Sequence, residues 1–298
     1  MKKLIKFFAA FLSVMMIFTS IISASATTYY YSSGFELYHD ENFEGWIVNS
    51  CSLENSEISV PPYLLDDSVT TIGGRSFENK TDLSFVYLPD TVTSIGAYAF
   101  SGCSSLSTIL FSESLQNIYM GAFRRCNSLT KIDLSNTNVK LIDSAAFYRC
   151  GTLEEVILPE TVETISANAF GNCPNLNKIT LGKQVNTIEE GAFDGSPNTV
   201  IYCYFDSVAY TYAKENNMPY VLLDNIMLGD VNMDGYVNIN DVTVIQRNLA
   251  ELEDFNELQE LAADANCDGD LDISDATAIQ MFLAEYEIPY PIGEIITQ

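Results

Sequence analysis

From residue 58 to residue 203 the apolar positions of this chain recur with a long period. Phe77, Phe100, Phe123, Phe147, Phe170 and Phe193 are separated by 23, 23, 24, 23 and 23 residues. Five residues before each Phe stands Ile72, Ile95, Ile118, Ile142, Ile165 or Ile188, and six after the first five stands Leu83, Leu106, Leu129, Leu153 or Leu176. A short apolar or alternating run follows each time: VYL, ILF, IDL, VIL, ITL and finally VIY. A fixed period of this size predicts a solenoid. One unit cannot cover its own Ile, Phe and Leu, but stacked units bury them in columns, each large side chain contributing about 1.5–3 kcal/mol relative to exposure. Stacked at about 4.8 Å, the short runs form a parallel sheet, and six rungs make a right-handed ladder on the order of 30 Å long.

The pattern changes after residue 225. GDVNMDGYVNINDVTVIQRNLA (229–250) and ADANCDGDLDISDATAIQMFLAE (263–285) each open on alternating Asp and Asn around one Gly and close on apolar residues at helical spacing. Asp230, Asn232, Asp234, Tyr236, Asn238 and Asp241 occupy positions 1, 3, 5, 7, 9 and 12 of a twelve-residue calcium loop, with Gly235 at 6. Asp264, Asn266, Asp268, Asp270, Asp272 and Asp275 occupy the same slots around Gly269. In such a loop alternate side-chain oxygens point inward, position 7 gives a backbone carbonyl, and the Gly makes the sharp turn. An all-oxygen, multi-carboxylate set selects a hard cation of high coordination number, so the expected cofactor is calcium, two ions. Without metal the carboxylates repel one another, so ion binding is expected to drive folding of this region. Position 12 is Asp in both loops where Glu is usual, and the segment VLLDNIML precedes the first loop in place of an entering helix.

The N-terminus, MKKLIKFFAAFLSVMMIFTSIISASA, has a basic start, an apolar run and a small-x-small site at Ala24-Ser25-Ala26. It reads as a secretory signal peptide, which makes the protein secreted, with no membrane insertion after cleavage. Removing Lys2, Lys3 and Lys6 leaves 11 basic against 40 acidic residues, a net of −29. That surface excludes nucleic acid and anionic membrane as partners. It suits cations or a complementary protein. Seven Cys are present. Cys103, Cys126, Cys150 and Cys173 each fall three residues after a Phe and form one column. Neighbours in it fall near the reach of a disulfide, whereas buried thiols acting as small hydrophobes are the plainer reading. Cys51, Cys203 and Cys267 have no obvious mates.

The wording of the units, as in LPDTVTSIGAYAFSGCSSLSTILF (88–111), resembles the bacterial BspA-like leucine-rich repeats over roughly residues 58–203. The resemblance implies a curved solenoid that binds a protein or adheres to a surface, without catalytic residues. It departs at the ends, where Lys80 and Ser196 stand at the Cys position, and DSVAYTYAKENNMPYVLLD (206–224) looks like the family's terminal cap. The paired loop–helix units over 226–290 resemble a type I dockerin, which implies docking on a cohesin module of a scaffoldin and a place in an extracellular, cell-surface-associated cellulosome that degrades plant polysaccharide. Carried over by loop and helix position, the resemblance implies partner contacts from Ile239, Asn240, Gln246, Arg247 and Glu251, and from Ile273, Ser274, Gln280, Met281 and Glu285. Tyr290 and Pro291 are candidates to clasp back onto Ile226 or Met227.

The expected architecture is α+β: signal peptide (1–26), N-terminal cap (27–57), leucine-rich-repeat solenoid with C-terminal cap (58–224), small α-helical dockerin with two calcium-binding loop–helix motifs (226–290), and tail (291–298). The only imidazole, His39, has no nucleophile motif beside it, and the nucleophile-elbow, phosphate-loop and zinc-helix patterns are absent from the sequence. A non-catalytic interaction protein, monomeric before assembly, is the leading reading, with an unknown protein or carbohydrate on the repeat face. An adhesin binding host or surface proteins, with the calcium module mainly structural, is the alternative. A hydrolase of unrecognised type is the third.

Overall fold

The computed structural model describes residues 27–296, apart from 33, 41–44, 53, 65 and 66. The expected signal peptide lies outside the described residues. Among those residues, no helix is long and apolar enough to cross a membrane. The chain forms two compact units, one reaching to Tyr202 and including Ser207–Tyr220, the other made of Cys203–Asp206 and Val221 onward.

In the first unit the Ile positions form two-residue strands, Ser94–Ile95, Asn117–Ile118, Leu141–Ile142, Thr164–Ile165 and Thr187–Ile188. They pair parallel and in register, Ile72 to Ile95 and on through Ile118, Ile142 and Ile165 to Ile188. The Phe side chains form a second column of parallel rings, with neighbouring centroids 4.9–5.6 Å apart and ring planes within 14°. Stacked rings at this spacing contribute about 0.5–1.5 kcal/mol per pair beyond area burial.

The backbone around each Phe explains the fixed period. The N–H groups of Arg75, Phe77 and Asn79 donate to the carbonyls of Ala97, Ala99 and Ser101 one rung ahead, at 2.9, 2.8 and 2.7 Å. Those of Ser76, Glu78 and Lys80 turn back to Gly73, Arg75 and Phe77 within the rung. Alternating the two directions requires a left-handed residue two before and two after each Phe. Arg75, Asn79, Tyr98, Gly102, Gly121, Arg125, Ala145, Arg149, Asn168, Asn172, Gly191 and Gly195 all have φ between 55° and 75°. A side chain bearing Cβ costs about 1–2 kcal/mol in that region. Gly121 has a second reason to be Gly, since a Cβ there would lie 2.5 Å from the ring of Tyr98.

The four column thiols are free, buried and hydrogen-bonded. Cys103 Sγ donates to Phe77 O at 3.1 Å, and Cys126, Cys150 and Cys173 donate to Phe100, Phe123 and Phe147 O at 3.2, 3.1 and 3.2 Å. Ser196 Oγ continues the series with a 2.7 Å bond to Phe170 O. The bond always reaches back one rung, so Lys80, whose rung opens the Phe series, has no preceding Phe carbonyl to serve. Burial pushes the Cys103 and Cys173 thiols up to about 12 and about 11, and raises Cys126 and Cys150 as well.

The short apolar runs depart from the single sheet expected. Glu57–Ser59, Phe85–Tyr87 and Thr108–Leu110 form one parallel sheet, and a second begins at Lys131–Asp133 and continues through Glu155–Ile157, Lys178–Thr180 and Val200–Cys203. The break falls between Thr108–Leu110 and Lys131–Asp133, ahead of the extra residue of the 24-residue spacing, which lies between Leu134 and Ile142. At the N-terminal end, Phe35–Asp40 pairs antiparallel with Thr27–Ser32 on one side and Trp46–Cys51 on the other, and the last runs parallel to Asp67–Ile72, extending the Ile sheet. At the other end helix α1, Val208–Glu215, is capped by Ser207, whose side chain accepts the Tyr210 N–H, and Ile201 N–H donates to Pro219 O.

The second unit holds helices α2 (Ile239–Leu249), α3 (Glu257–Ala263) and α4 (Ile273–Leu283). Val242, Ile245, Ala276 and Ile279 bury the inner faces of α2 and α4 against Leu228, Val231, Ala263 and Ile292, with Tyr290 packed alongside. The strand Ile226–Met227 pairs antiparallel with Ile295–Ile296, so the clasp reaches past Tyr290 and Pro291 and is closed by backbone bonds.

Two outcomes test this packing. Phe123→Ala removes a ring stacked on both sides and lowers unfolding stability by about 3–5 kcal/mol, more than Phe193→Ala at the ladder end, in urea titrations of the full chain. In the native protein a disulfide-exchange reagent modifies the exposed Cys267, whereas the four column thiols react only after denaturant is added.

Candidate metal centre and docking face

Each acidic loop is built by backbone amides closing on side-chain oxygens. In the first, Asp230 Oδ1 and Oδ2 accept the N–H groups of Asp234 and Gly235 at 3.1 and 2.9 Å. Asn232 Oδ1 accepts Asp234 N–H at 2.9 Å, and Asp234 Oδ1 accepts Tyr236 N–H at 3.0 Å. Asp241 Oδ1 and Oδ2 accept from Asn232 and Asn238 N–H at 3.0 and 2.8 Å. The second loop repeats these six bonds. Asp264 accepts from Asp268 and Gly269, both at 3.1 Å, and Asn266 and Asp268 accept from Asp268 and Asp270, both at 2.9 Å. Asp275 accepts from Asn266 and Asp272 at 3.2 and 2.9 Å.

The Asp at position 12 has a local explanation. Asn238 and Asp272 are the N-cap residues of α2 and α4, and Asp241 and Asp275 are the third residues of those helices in reciprocal capping boxes. Gly235 and Gly269 lie at φ 87° and 88°, and a Cβ at either position would meet nothing within 4 Å. The turn therefore demands their conformation and not their small size.

The electrostatics of these loops are one-sided. Asp241 and Asp275 are fully buried and Asp230 is 5% exposed, and among the described residues none of the three is in an ion pair with a base. Burial first, and then the neighbouring Asp241 and Asp234 carboxylates, raise the Asp230 carboxyl against its amide hydrogen bonds. Burial, Asp264 and Asp268 do the same to Asp275. A carboxyl raised in the folded state favours folding at pH below its ordinary range, and that contribution is lost as pH rises through its folded value. At neutral pH these charges therefore count against the fold unless a cation answers them. The donor set fits one. Each oxygen of Asp230, Asp241, Asp264 and Asp275 accepts one amide N–H and keeps lone-pair capacity for a further partner. Among the described residues no three carboxylate, imidazole or thiol side chains converge by themselves. The loops combine carboxylates with Asn carbonyls and the backbone at Tyr236 and Asp270, the mixture a calcium loop uses.

The ten residues expected at a partner interface are all exposed. Ile239 and Ile273 are 59% and 58% exposed at the starts of α2 and α4, beside Asn240 and Ser274. Gln246, Arg247 and Glu251 on one half stand 34 residues from Gln280, Met281 and Glu285 on the other. Arg247 Nε pairs with Glu253 at 3.1 Å. Helical spacing groups Leu249 and Leu283 with the buried positions and gives no sign of Leu252 and Tyr286; all four are exposed. They are also pairs at an offset of 34, and that offset is the available signal. Helix α3 escapes the periodicity as well, although its Asn256 and Gln259 form a capping box.

Two family profiles match the chain. One is a BspA type leucine-rich repeat region, in six copies over residues 70–200, and the other a dockerin type I domain over residues 228–284. Among solved structures, a T. pallidum leucine-rich repeat protein is 23% identical over 76% of this chain and 97% of its own, with a TM-score of 0.55, and shares the fold. A leucine rich cell surface protein from Faecalibacterium prausnitzii is 24% identical over 60% of this chain and 55% of its own (TM-score 0.45). A leucine-rich repeat protein from Eubacterium ventriosum is 26% identical over 56% and 49% (TM-score 0.44). No curated protein matches the chain. Both regions are of typically non-catalytic kinds; a type I dockerin implies calcium binding, a cohesin partner and an extracellular setting, and leucine-rich repeats suggest protein binding. The chain therefore carries a BspA-type leucine-rich repeat region followed by a C-terminal type I dockerin domain.

Proposed function

We propose that this is a secreted, non-catalytic adaptor whose dockerin takes up two calcium ions and then docks on a cohesin module of a scaffoldin, carrying the repeat ladder into a cellulosome. The observation that carries the reading is the bond-for-bond repetition of two loops that each bury carboxylate without a basic partner. One ion would be held by Asp230, Asn232, Asp234, Tyr236, Asn238 and Asp241, the other by Asp264, Asn266, Asp268, Asp270, Asp272 and Asp275, with position 7 contributing its backbone carbonyl. The ion supplies positive charge to a pair of helix starts that otherwise gather only negative charge. Its uptake fixes α2 and α4 at their capping boxes, and with them the exposed positions from Ile239 to Glu251 and from Ile273 to Glu285. The apolar Ile239 and Ile273, each with a polar neighbour, are suited to the centre of a small interface. The repeat ladder is the cargo, with a protein or a polysaccharide as its ligand.

Calcium titration of the full chain followed by circular dichroism tests the first step. Helix content and the melting temperature of the second unit rise with calcium and fall on chelation, while the ladder's melting is unmoved. Asp241→Ala or Asp275→Ala each remove one equivalent of bound ion, and finding two equivalents in either variant would contradict the assignment.

Capture by a panel of immobilised cohesins, with calcium and with chelator, tests the second step. Ile239→Asp and Ile273→Asp together weaken capture by more than about tenfold, as loss of a buried apolar anchor does. Calcium uptake is unchanged in that variant. Calcium uptake without capture by any cohesin would leave the metal site standing and remove the docking role.

A further inference from the structure

Along the ladder, the residue after the column Leu and its successor send both N–H groups back to one carbonyl of the rung before. Ser107 and Thr108 donate to Ser84 O at 3.0 and 3.2 Å, Glu154 and Glu155 to Thr130 O at 2.8 and 3.3 Å, and Asn177 and Lys178 to Glu154 O at 3.0 and 3.2 Å. The junction between Thr108–Leu110 and Lys131–Asp133 is different. Among the described residues neither Thr130 nor Lys131 N–H reaches Ser107 O, and no backbone hydrogen bond joins the two strands. The rungs stay tied on either side of this place, where Ser128 Oγ donates to Ser104 O at 2.7 Å and Asn138 N–H to Leu115 O at 2.9 Å. The result is a bounded opening, with Ser107–Phe111 along one side and Thr130–Leu134 along the other.

Phe111 accounts for it. The other units place Leu88, Leu134, Leu158 and Leu181 at this position, and all four are buried. Phe111 is part-exposed, and its ring meets Phe123 of the following rung edge-on, with centroids 5.9 Å apart and planes at 82°. The larger side chain thus wedges between two rungs on the short-strand side, while the Phe100–Phe123 stack keeps its 5.3 Å spacing. The opening uncovers apolar surface. The inward residue of the strand is buried at Val86, Ile132, Val156, Ile179 and Ile201 but part-exposed at Ile109. On the outward face, Leu110 and its in-register neighbour Tyr87 are 49% and 39% exposed.

The backbone at the opening identifies what fits. Thr108 N–H donates to Ser84 O and Leu110 O accepts Leu88 N–H at 3.0 Å, both toward the rung before, so the Ile109 N–H and C=O point from the opposite edge into the opening. Across it, Thr130 O and Leu134 N–H are taken by the following rung, which turns the N–H and C=O groups of Lys131 and Asp133 toward Ile109. Donors and acceptors alternating at strand spacing are answered by extended backbone, the basis of strand addition. Side chains of an added strand alternate between the inward face, at Ile109, and the outward face, at Leu110, so apolar residues suit it. The chain's acid excess, 11 basic against 40 acidic residues beyond residue 26, favours a basic segment. We propose that an extended, net-basic segment of a partner protein adds a strand in the opening between Thr108–Leu110 and Lys131–Asp133. This rests on the reading of the ladder as the ligand-binding part of the adaptor.

The test is amide hydrogen exchange of the full chain, with a capped peptide of sequence NLNKITLG as probe. That sequence is the chain's own 175–182, whose strand Lys178–Thr180 pairs on both sides within the ladder and carries one base. In the free protein the Ile109 and Lys131 amides exchange at least about a hundredfold faster than those of Thr108, Glu155 and Lys178. The peptide slows both at least about tenfold, whereas the same peptide N-methylated at alternate amides slows neither. A peptide with Glu in place of its Lys binds at least about threefold more weakly. Phe111→Leu lets the junction close: Lys131 becomes as protected as Glu155, peptide binding is lost, and the ladder's melting temperature is unchanged or higher. Calcium uptake and cohesin capture are unchanged in that variant, so failure of this proposal leaves the docking reading standing. Equal protection of Lys131 and Glu155 in the unmodified protein, no binding of the peptide, equal binding of the methylated or Glu-containing peptide, or undiminished binding to Phe111→Leu would each overturn the proposal. So would a dimer that Phe111→Leu abolishes in sedimentation, since the occupant would then be a second copy of this chain.

Discussion

The ladder depends on hydrogen bonds that no single rung can make for itself. At each Phe turn, alternate N–H groups point forward to the carbonyls of the next rung, and the thiol or hydroxyl three residues later points back to the Phe carbonyl of the rung before. A rung is therefore satisfied only between two others, and stability in this unit is a nearest-neighbour property. The same constraint explains the ends. Antiparallel strands extend the Ile sheet on one side, a capped helix follows the last rung on the other, and the Cys position is released at Lys80, where no earlier Phe carbonyl exists.

The second unit solves the opposite problem. Its secondary structure is local: two capped helices, each closed at its start by amides donating to Asp and Asn side chains. Such loops need no distant partner to form their bonds, but they gather charge that hydrogen bonds alone do not neutralise. An amide dipole offsets part of a buried carboxylate's lost hydration, and an uncompensated remainder persists. One unit is thus completed by its own repetition, and the other keeps buried carboxylates that, among the described residues, no base answers.

The columns and the loops were legible because each is a spacing. Ile72 to Ile188, Phe77 to Phe193 and Asp230 to Asp241 announce themselves by recurrence, and recurrence survives ignorance of the backbone. What was not legible depends on direction or exposure. The sequence does not say that Arg125 and Arg149 are left-handed, because Arg is a poor marker of that conformation, whereas Asn79 and Gly102 at the same position are good ones. Nor does helical spacing say that Leu249 and Leu283 face water: they continue the apolar stripe of α2 and α4 one turn beyond the core that Val242, Ile245 and Ile279 fill. The split of the short-strand sheet was hidden because Ile109 and Ile132 stand at the same three-residue distance from Leu106 and Leu129, so spacing gives no sign of the break between their strands.

The distribution of bases carries the argument one step further. Residues 221–298 hold 17 acidic side chains and one basic residue, Arg247, which is already paired with Glu253. No rearrangement of this unit can supply internal cations to Asp230, Asp241 and Asp275. Two divalent ions would remove four negative charges and leave the surface strongly acidic. Any docking face built on α2 and α4 must then combine a minority of apolar contacts at Ile239 and Ile273 with a broad negative field. A field of that kind steers a basic partner into encounter and repels an acidic one, while the apolar centre sets how long the partner stays. On the proposed function, specificity of assembly and dependence on metal would both follow from this one excess of acid.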